Sequence, residues 1–129
     1  MASILIADDD EVFGQAMERF FTDLGHTVYR VLDGQQVVFA IQKHRFDLVV
    51  LDVQMPGGGA PTALRRLCAQ PSTAALPIIA VSGMPVEQQR QWFPDRSDVR
   101  CFCKPISFPE LRAAVVELLT PPPARPPFR

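Results

Sequence analysis

The sequence predicts an α/β domain built on a parallel sheet with helices on both faces. Two patterns lead there. Short apolar runs alternate with stretches whose apolar residues recur at helical spacing, the arrangement of repeated β/α units. Four of those runs also end on a polar residue: Asp8-Asp9 after Ile4-Leu5-Ile6, Asp52 after Leu48-Val49-Val50-Leu51, Ser82 after Pro77-Ile78-Ile79-Ala80-Val81, and Lys104 after Cys101-Phe102-Cys103. In open parallel α/β sheets the ligand site lies outside the carboxyl ends of the strands. Carboxylates, a hydroxyl and an ammonium are therefore directed to one edge.

Taken in order, strands are expected at 3–7, 26–31, 47–52, 77–82 and 99–103. After the first, Val12, Phe13, Ala16, Met17, Phe20, Phe21 and Leu24 recur at helical spacing, and Gly25 supplies a C-terminal stop. The Asp33-Gly34 turn leads to a second helix at 35–44 carrying Val37, Val38, Phe39 and Ile41. A third, at 62–69, carries Leu64, Leu67 and Cys68. Pro85 opens a short fourth at 86–92, closed by Pro94, and Ser107 with Glu110 makes a capping-box start for a fifth at 109–119. Residues 1–119 thus form the domain. The tail at 120–129 contains Pro121, Pro122, Pro123, Pro126 and Pro127 and is expected to be extended, as a frayed end, a linker to another domain or a docking peptide.

A length of 129 residues suits one hydrophobic core. Hydrophobic residues at 47% and charged residues at 21% are near the globular average, which excludes a disordered chain or a coiled coil. The net charge of −1 gives no global pull toward nucleic acid or an acidic membrane surface. No apolar run nears the roughly 20 residues that span a bilayer, and Met1-Ala2-Ser3 leads straight into a strand without a charged n-region. The expectation is a soluble, cytoplasmic protein without direct nucleic-acid or membrane contact. Cys68, Cys101 and Cys103 are odd in number and lack CxxC spacing, so neither a disulfide framework nor a zinc site is indicated. Cys101 and Cys103 share one side of a strand and are expected as buried structural thiols.

Asp8, Asp9 and Asp52 crowd three carboxylates together. Two unit charges about 4 Å apart repel by roughly 4 kcal/mol at an effective dielectric of about 20. Either one carboxyl takes up a proton with a raised pKa, or a divalent cation binds, and an all-oxygen site suits Mg2+. Lys104 and Ser82 favour the metal, because they add the groups a phosphoryl oxygen needs. Phosphoryl transfer proceeds mostly by positioning and charge neutralisation, so each residue acquires a task. Asp52 is the nucleophile that becomes an aspartyl phosphate. Asp9 ligates Mg2+ directly, Asp8 directly or through water, and the backbone carbonyl of Gln54 adds a further ligand. Ser82 and Lys104 each bind one phosphoryl oxygen. Singly, an Asp, a Ser or a Lys-Pro after a strand is an ordinary turn or cap; the joint placement carries the reading. Asp10 and Glu11 are assigned to the first helical turn, where negative charge is favourable.

These residues resemble the receiver domain of bacterial two-component response regulators, the CheY-like family. The similar stretches are Ile4 to Asp10, Phe46 to Gly57, Pro77 to Gly83 and Cys103-Lys104-Pro105, whose last peptide bond is commonly cis in receivers. The resemblance implies a flavodoxin-like, three-layer α/β/α fold with five parallel strands in the order 2-1-3-4-5. It implies a phosphoacceptor rather than an enzyme, one that takes a phosphoryl group onto Asp52 from a sensor histidine kinase or histidine phosphotransfer protein, with Mg2+ required and only self-phosphorylation and self-dephosphorylation as chemistry. It further implies a switch in which Ser82 moves toward the phosphate and the surface of the fourth helix, fifth strand and fifth helix changes, signalling by contact with a downstream protein or output domain. Homodimer formation is left open.

Two positions depart from the family pattern. Three places before the lysine the family usually has an aromatic residue whose rotamer tracks phosphorylation; here the place holds Cys101, which weakens or reroutes that coupling, and Phe102 points to the opposite face. After Pro56, Gly57-Gly58-Gly59-Ala60-Pro61 forms a mobile turn that is not a P-loop, since no Gly-Lys-Ser/Thr follows. Two other functions are weighed. A degenerate receiver would keep the fold and signal without phosphate. A haloacid-dehalogenase-like phosphohydrolase would use Asp8 as nucleophile and Asp10 as general acid, but it leaves Asp52 without a task.

Overall fold

The computed structural model describes residues 1–55, 73–93 and 98–120, together with Arg65, Leu67 and Ala69. Five parallel strands, β1 (Ser3–Ala7), β2 (Thr27–Val31), β3 (Leu48–Asp52), β4 (Ile78–Ser82) and β5 (Val99–Cys103), form one sheet in the order β2-β1-β3-β4-β5. Each lies within a residue of its expected bounds. Chain order reverses across the sheet between β1 and β3, which opens a crevice at their carboxyl ends.

Strand position follows burial. β3 and β4 are buried throughout and β1 nearly so, which suits strands covered from both sides. The more polar β2 and β5 take the edges. Because side chains alternate along a strand, the two faces receive different sets. Leu5, Ala7, Val49, Leu51, Ile78 and Ala80 pack with Val37, Ile41 and Leu67 on one face. Ile4, Ile6, Leu48, Val50, Ile79 and Val81 pack with Met17, Phe21, Leu111 and Val115 on the other. Each fully buried Val, Leu, Ile, Met or Phe among them contributes about 1.5–3 kcal/mol. These contacts place α2 (Gly34–Lys43) on the first face and α1 (Glu11–Asp23) on the second.

Beyond β4, the short α3 (Val86–Arg90) packs near β5, and α4 (Phe108–Leu119) joins α1 on the second face. They are the fourth and fifth helices of the sequence reading. Of the third, Arg65, Leu67 and Ala69 are helical, with Leu67 buried, while Leu64 and Cys68 lie outside the described residues. So do the glycine-rich turn after Met55 and the tail beyond Thr120.

Local chemistry sets the helix ends. Asp10 caps α1 by accepting from the Phe13 amide at 3.1 Å, and Asp33 caps α2 by accepting from Gln36 at 2.8 Å. Ser107 caps α4 by accepting from Glu110. Gly25 takes the left-handed conformation after α1, at φ 91, where a Cβ would be strained. Helix α3 ends at Arg90, two residues short of the expected stop, and Pro85 is its N-cap without a side-chain bond.

Three expected core positions face outward. Val12 is 77% exposed, Ala16 is exposed, and Phe39 is 63% exposed with the Lys43 ammonium 5.4 Å from its ring centroid. The buried stripe of α1 instead runs through Gly14, Met17 and Phe21. At Gly14 the Arg30 guanidinium crosses the helix: a Cβ would meet Nη2 at 2.8 Å.

Candidate functional site

The sheet brings the predicted residues to one edge. Asp8 follows β1, Asp52 ends β3, Ser82 ends β4 and Lys104 follows β5. Register does the rest: Ala7 pairs with Leu51, Asp52 with Val81 and Ser82 with Cys103, so the four strand ends lie level. Asp8, Asp52 and Ser82 are buried, whereas Asp9 is exposed at the rim. One oxygen from each of Asp8, Asp9 and Asp52 lies within 4.8 Å of the others.

Two carboxylates are oriented alike. Asp8 Oδ1 accepts from the Asp10 amide at 2.9 Å, and Asp52 Oδ1 accepts from the Gln54 amide at 2.9 Å. Such bonds to the backbone two residues on are what Asp makes at strand ends. Both Oδ2 atoms are left facing Lys104, whose Nζ is 2.9 Å from that of Asp8 and 3.5 Å from that of Asp52. Apart from that ammonium, the buried Asp8 Oδ2 has no partner among the described residues. Lys104 is anchored twice more. Its amide donates to the Ser82 carbonyl at 2.8 Å, and its Nζ lies 4.3 Å from the Phe13 ring centroid. The Lys104-Pro105 peptide bond is cis.

Electrostatics separates these groups. Burial pushes the Asp52 carboxyl up to about 6, against the Gln54 amide and Lys104, which favour its charge; the Asp8 carboxylate adds to the rise. Burial works to lower the Lys104 ammonium, but Asp8, Asp52 and Asp10 more than offset it and the net shift is upward. The pocket therefore holds a permanent cation beside a carboxylate poised to lose or gain a proton near neutrality.

Residues 4–116 match the family described as response regulator receiver domain. The chain belongs to that family. This receiver domain is 30% identical over 117 residues to the sensor protein GacS of Pseudomonas syringae pv. syringae, spanning 88% of the chain but 13% of that protein. It is 31% identical over 81 residues to a gliding motility regulatory protein of Myxococcus xanthus, 63% of the chain and 10% of the relative. The chain thus spans only a small part of these relatives, whereas its match to protein PilH of Pseudomonas aeruginosa, 30% identical, covers 71% of the chain and 76% of PilH.

Among solved structures, the receiver domain of a sensor histidine kinase from Pseudomonas aeruginosa PAO1 overlays with a TM-score of 0.81 at 25% identity, covering 92% of this chain and 97% of that one. That structure is described with a magnesium ion coordinated in its active-site cleft. The chemotaxis protein CheY4 of Vibrio cholerae overlays with a TM-score of 0.83 at 24% identity, covering 92% and 99%, and shares the fold. A receiver domain is a two-component signalling domain, not a conventional enzyme. Among the described residues no helix is long and apolar enough to cross a membrane.

The structure also revises particular residues. Cys101 is half-buried on the first face and Phe102 packs on the second, as alternation requires. Burial pushes the Cys101 thiol up, opposed by Arg90. Cys103, expected inside, is exposed at the end of the edge strand β5. Asp10, the general acid of the phosphohydrolase alternative, is instead committed to the α1 cap.

Three contributors went unseen in the sequence. The Gln54 side chain accepts from the Ser82 hydroxyl at 3.2 Å, Phe13 contacts Lys104, and the fully buried Gln89 bonds to two backbone carbonyls. Only Phe13 left a signal, its place one turn beyond Asp8-Asp9 on an apolar helix face.

Proposed function

We propose that Asp52 is the phosphoacceptor of this receiver domain and that its donor is the phosphohistidine of a sensor histidine kinase or histidine phosphotransfer protein. The observation that supports this is the meeting of the Asp8, Asp9 and Asp52 carboxylates beside the Lys104 ammonium. Asp52 stands on the central strand with Oδ1 held by the backbone. One of its oxygens attacks phosphorus, an O–P bond forms, and the P–N bond breaks with its electron pair returning to that imidazole nitrogen; a proton carried on the donor's other ring nitrogen lets the ring leave neutral. Charge in the loose transition state spreads over three equatorial oxygens. Lys104 neutralises one, and the Ser82 hydroxyl donates to another after leaving Gln54.

Mg2+ fits this pocket. Three carboxylates face one ammonium, the donors are all oxygen, and the buried Asp8 Oδ2 has capacity to spare. Asp8, Asp9, Asp52 and the backbone carbonyl of Gln54 would hold it, with waters completing the shell. When bound, the ion supplies charge neutralisation for carboxylates and phosphoryl oxygens.

Residues 1–119 are the working receiver in this reading, residues 120–129 a tail or linker, and the chemistry ends with self-phosphorylation and self-dephosphorylation in the cytoplasm. The signal passes to a downstream protein or output domain through Ser82 and the face made by α3, β5 and α4. Mass spectrometry after incubation with Mg2+ and acetyl phosphate tests the assignment. The unaltered chain gains one phosphoryl group and Asp52→Asn gains none; equal labelling of both would overturn it.

A further inference from the structure

We propose that Gln89 is the residue that transmits the state of the Asp52 pocket to α3 and β5. The proposal rests on the phosphoacceptor reading above and adds a route to it.

Gln89 lies on α3 and is fully buried, an unusual setting for a primary amide, which prefers water unless its hydrogens are bonded. Its Nε2 donates to the Met84 carbonyl at 2.8 Å and to the Phe102 carbonyl at 2.9 Å. One side chain therefore ties three parts together: the β4–α3 loop, α3 itself and the edge strand β5. An apolar residue of similar size would fill the same space without that connection.

The same loop is tied to the pocket. The Met84 amide donates to Ser82 Oγ at 3.1 Å, while that hydroxyl donates to Gln54 Oε1 at 3.2 Å. A hydroxyl has one hydrogen to give. When Ser82 gives it to a phosphoryl oxygen on Asp52, the bond to Gln54 is lost and the oxygen that receives the Met84 amide moves. The Met84 backbone moves with it, and the Met84 carbonyl, in the next peptide unit, is held by Gln89. Displacement then reaches the Phe102 carbonyl and the middle of α3 through the Gln89 amide.

A further detail suits this role. Gln89 Oε1 is buried and without a partner among the described residues, so the two Nε2 donor bonds alone fix the orientation of the amide. Cys101, small and half-buried at the adjacent position, supplies no aromatic lever to compete with this path.

Nitrogen NMR on the full chain with Mg2+ and beryllofluoride, a phosphoryl mimic, tests the idea. In the unaltered protein the Gln89 side-chain amide resonances shift on loading, along with the backbone amides of 84, 86–90 and 99–103. In Gln89→Met, which keeps volume and removes both donors, half-saturation stays within about twofold, while the shifts at 86–90 and 99–103 fall to less than about half. Full-size shifts there in the variant would overturn the proposal, as would Gln89 side-chain resonances that ignore loading in the unaltered chain, an arm that needs no variant to fold. If the unaltered chain shows no loading at all, the phosphoacceptor reading fails and takes the route with it.

Discussion

Lys104 Nζ lies 2.9 Å from Asp8 Oδ2, a buried oxygen that has no other partner among the described residues. Removing the cation leaves a carboxylate desolvated and unopposed, which is the costly way to break an ion pair. Lys104→Met should destabilise the metal-free protein by about 2 kcal/mol or more at pH 8, read from urea unfolding, with much of the loss recovered in excess Mg2+. An unchanged midpoint would show that the ammonium is not what offsets the Asp8 charge.

Asp52 makes the opposite contribution. Its carboxyl is raised from 3.8 to about 6 by burial first and Asp8 among the further causes, so the folded protein binds a proton more tightly than the unfolded chain. That stability is fully present below pH 3.8, and it is lost as pH rises through about 6. Asp52→Asn, which cannot ionise, should therefore stabilise the metal-free protein by roughly 1–3 kcal/mol at pH 7.5 and by little near pH 4. Equal effects at the two pH values would contradict the shift.

Magnesium should follow the same titration, because the metal competes with the proton for Asp52. Thermal denaturation across a Mg2+ series is expected to give affinity that falls as pH drops below about 6 in the unaltered chain. In Asp52→Asn the affinity is weaker but nearly flat over that range. Asp9→Asn should weaken binding at every pH.

Phe13 supports Lys104 from below the ammonium, with a ring centroid 4.3 Å away. An exposed or part-exposed cation–π contact contributes about 0.5–1 kcal/mol. Phe13→Leu should slow labelling by acetyl phosphate about two- to fivefold, and Phe13→Tyr should leave it unchanged. Identical losses in both variants would point to packing rather than to the ring's charge distribution.

At Gly14 two terms oppose each other. A Cβ there meets Arg30 Nη2 at 2.8 Å, the far end of a flexible side chain that also pairs with Glu11 and Glu18. Displacing it loses partly exposed ion pairs of about 0–1 kcal/mol, while Ala gains about 1 kcal/mol of helix propensity. Gly14→Ala should be near neutral alone and stabilising by about 1 kcal/mol in an Arg30→Ala background. Calorimetry of the four combinations measures the cycle.

What neighbouring residues announce and what they conceal have a common physical cause. Leu48 to Asp52 announces a buried strand by composition alone, and Asp33 and Ser107 announce caps by type and position. Val12 and Phe39 look like core because helical spacing marks a stripe without saying how wide a face the sheet will cover. Cys103 looked buried because alternation gives its side of the strand but not that the strand is last in the sheet. The side chains of Gln54 and Gln89 give no sign, since a glutamine amide is ordinary on any surface until a hydroxyl or two carbonyls are brought to it.

The amino-acid order by itself determined the five strands and the polar residue that closes four of them, because apolar runs, caps and strand ends are properties of neighbours along the chain. Only the tertiary structure decided that Lys104 faces the Oδ2 atoms of Asp8 and Asp52, that Ser82 donates to Gln54, and that burial pushes the Asp52 carboxyl up. Those are consequences of distance and desolvation between residues far apart in sequence, set when parallel pairing brings the strand ends level.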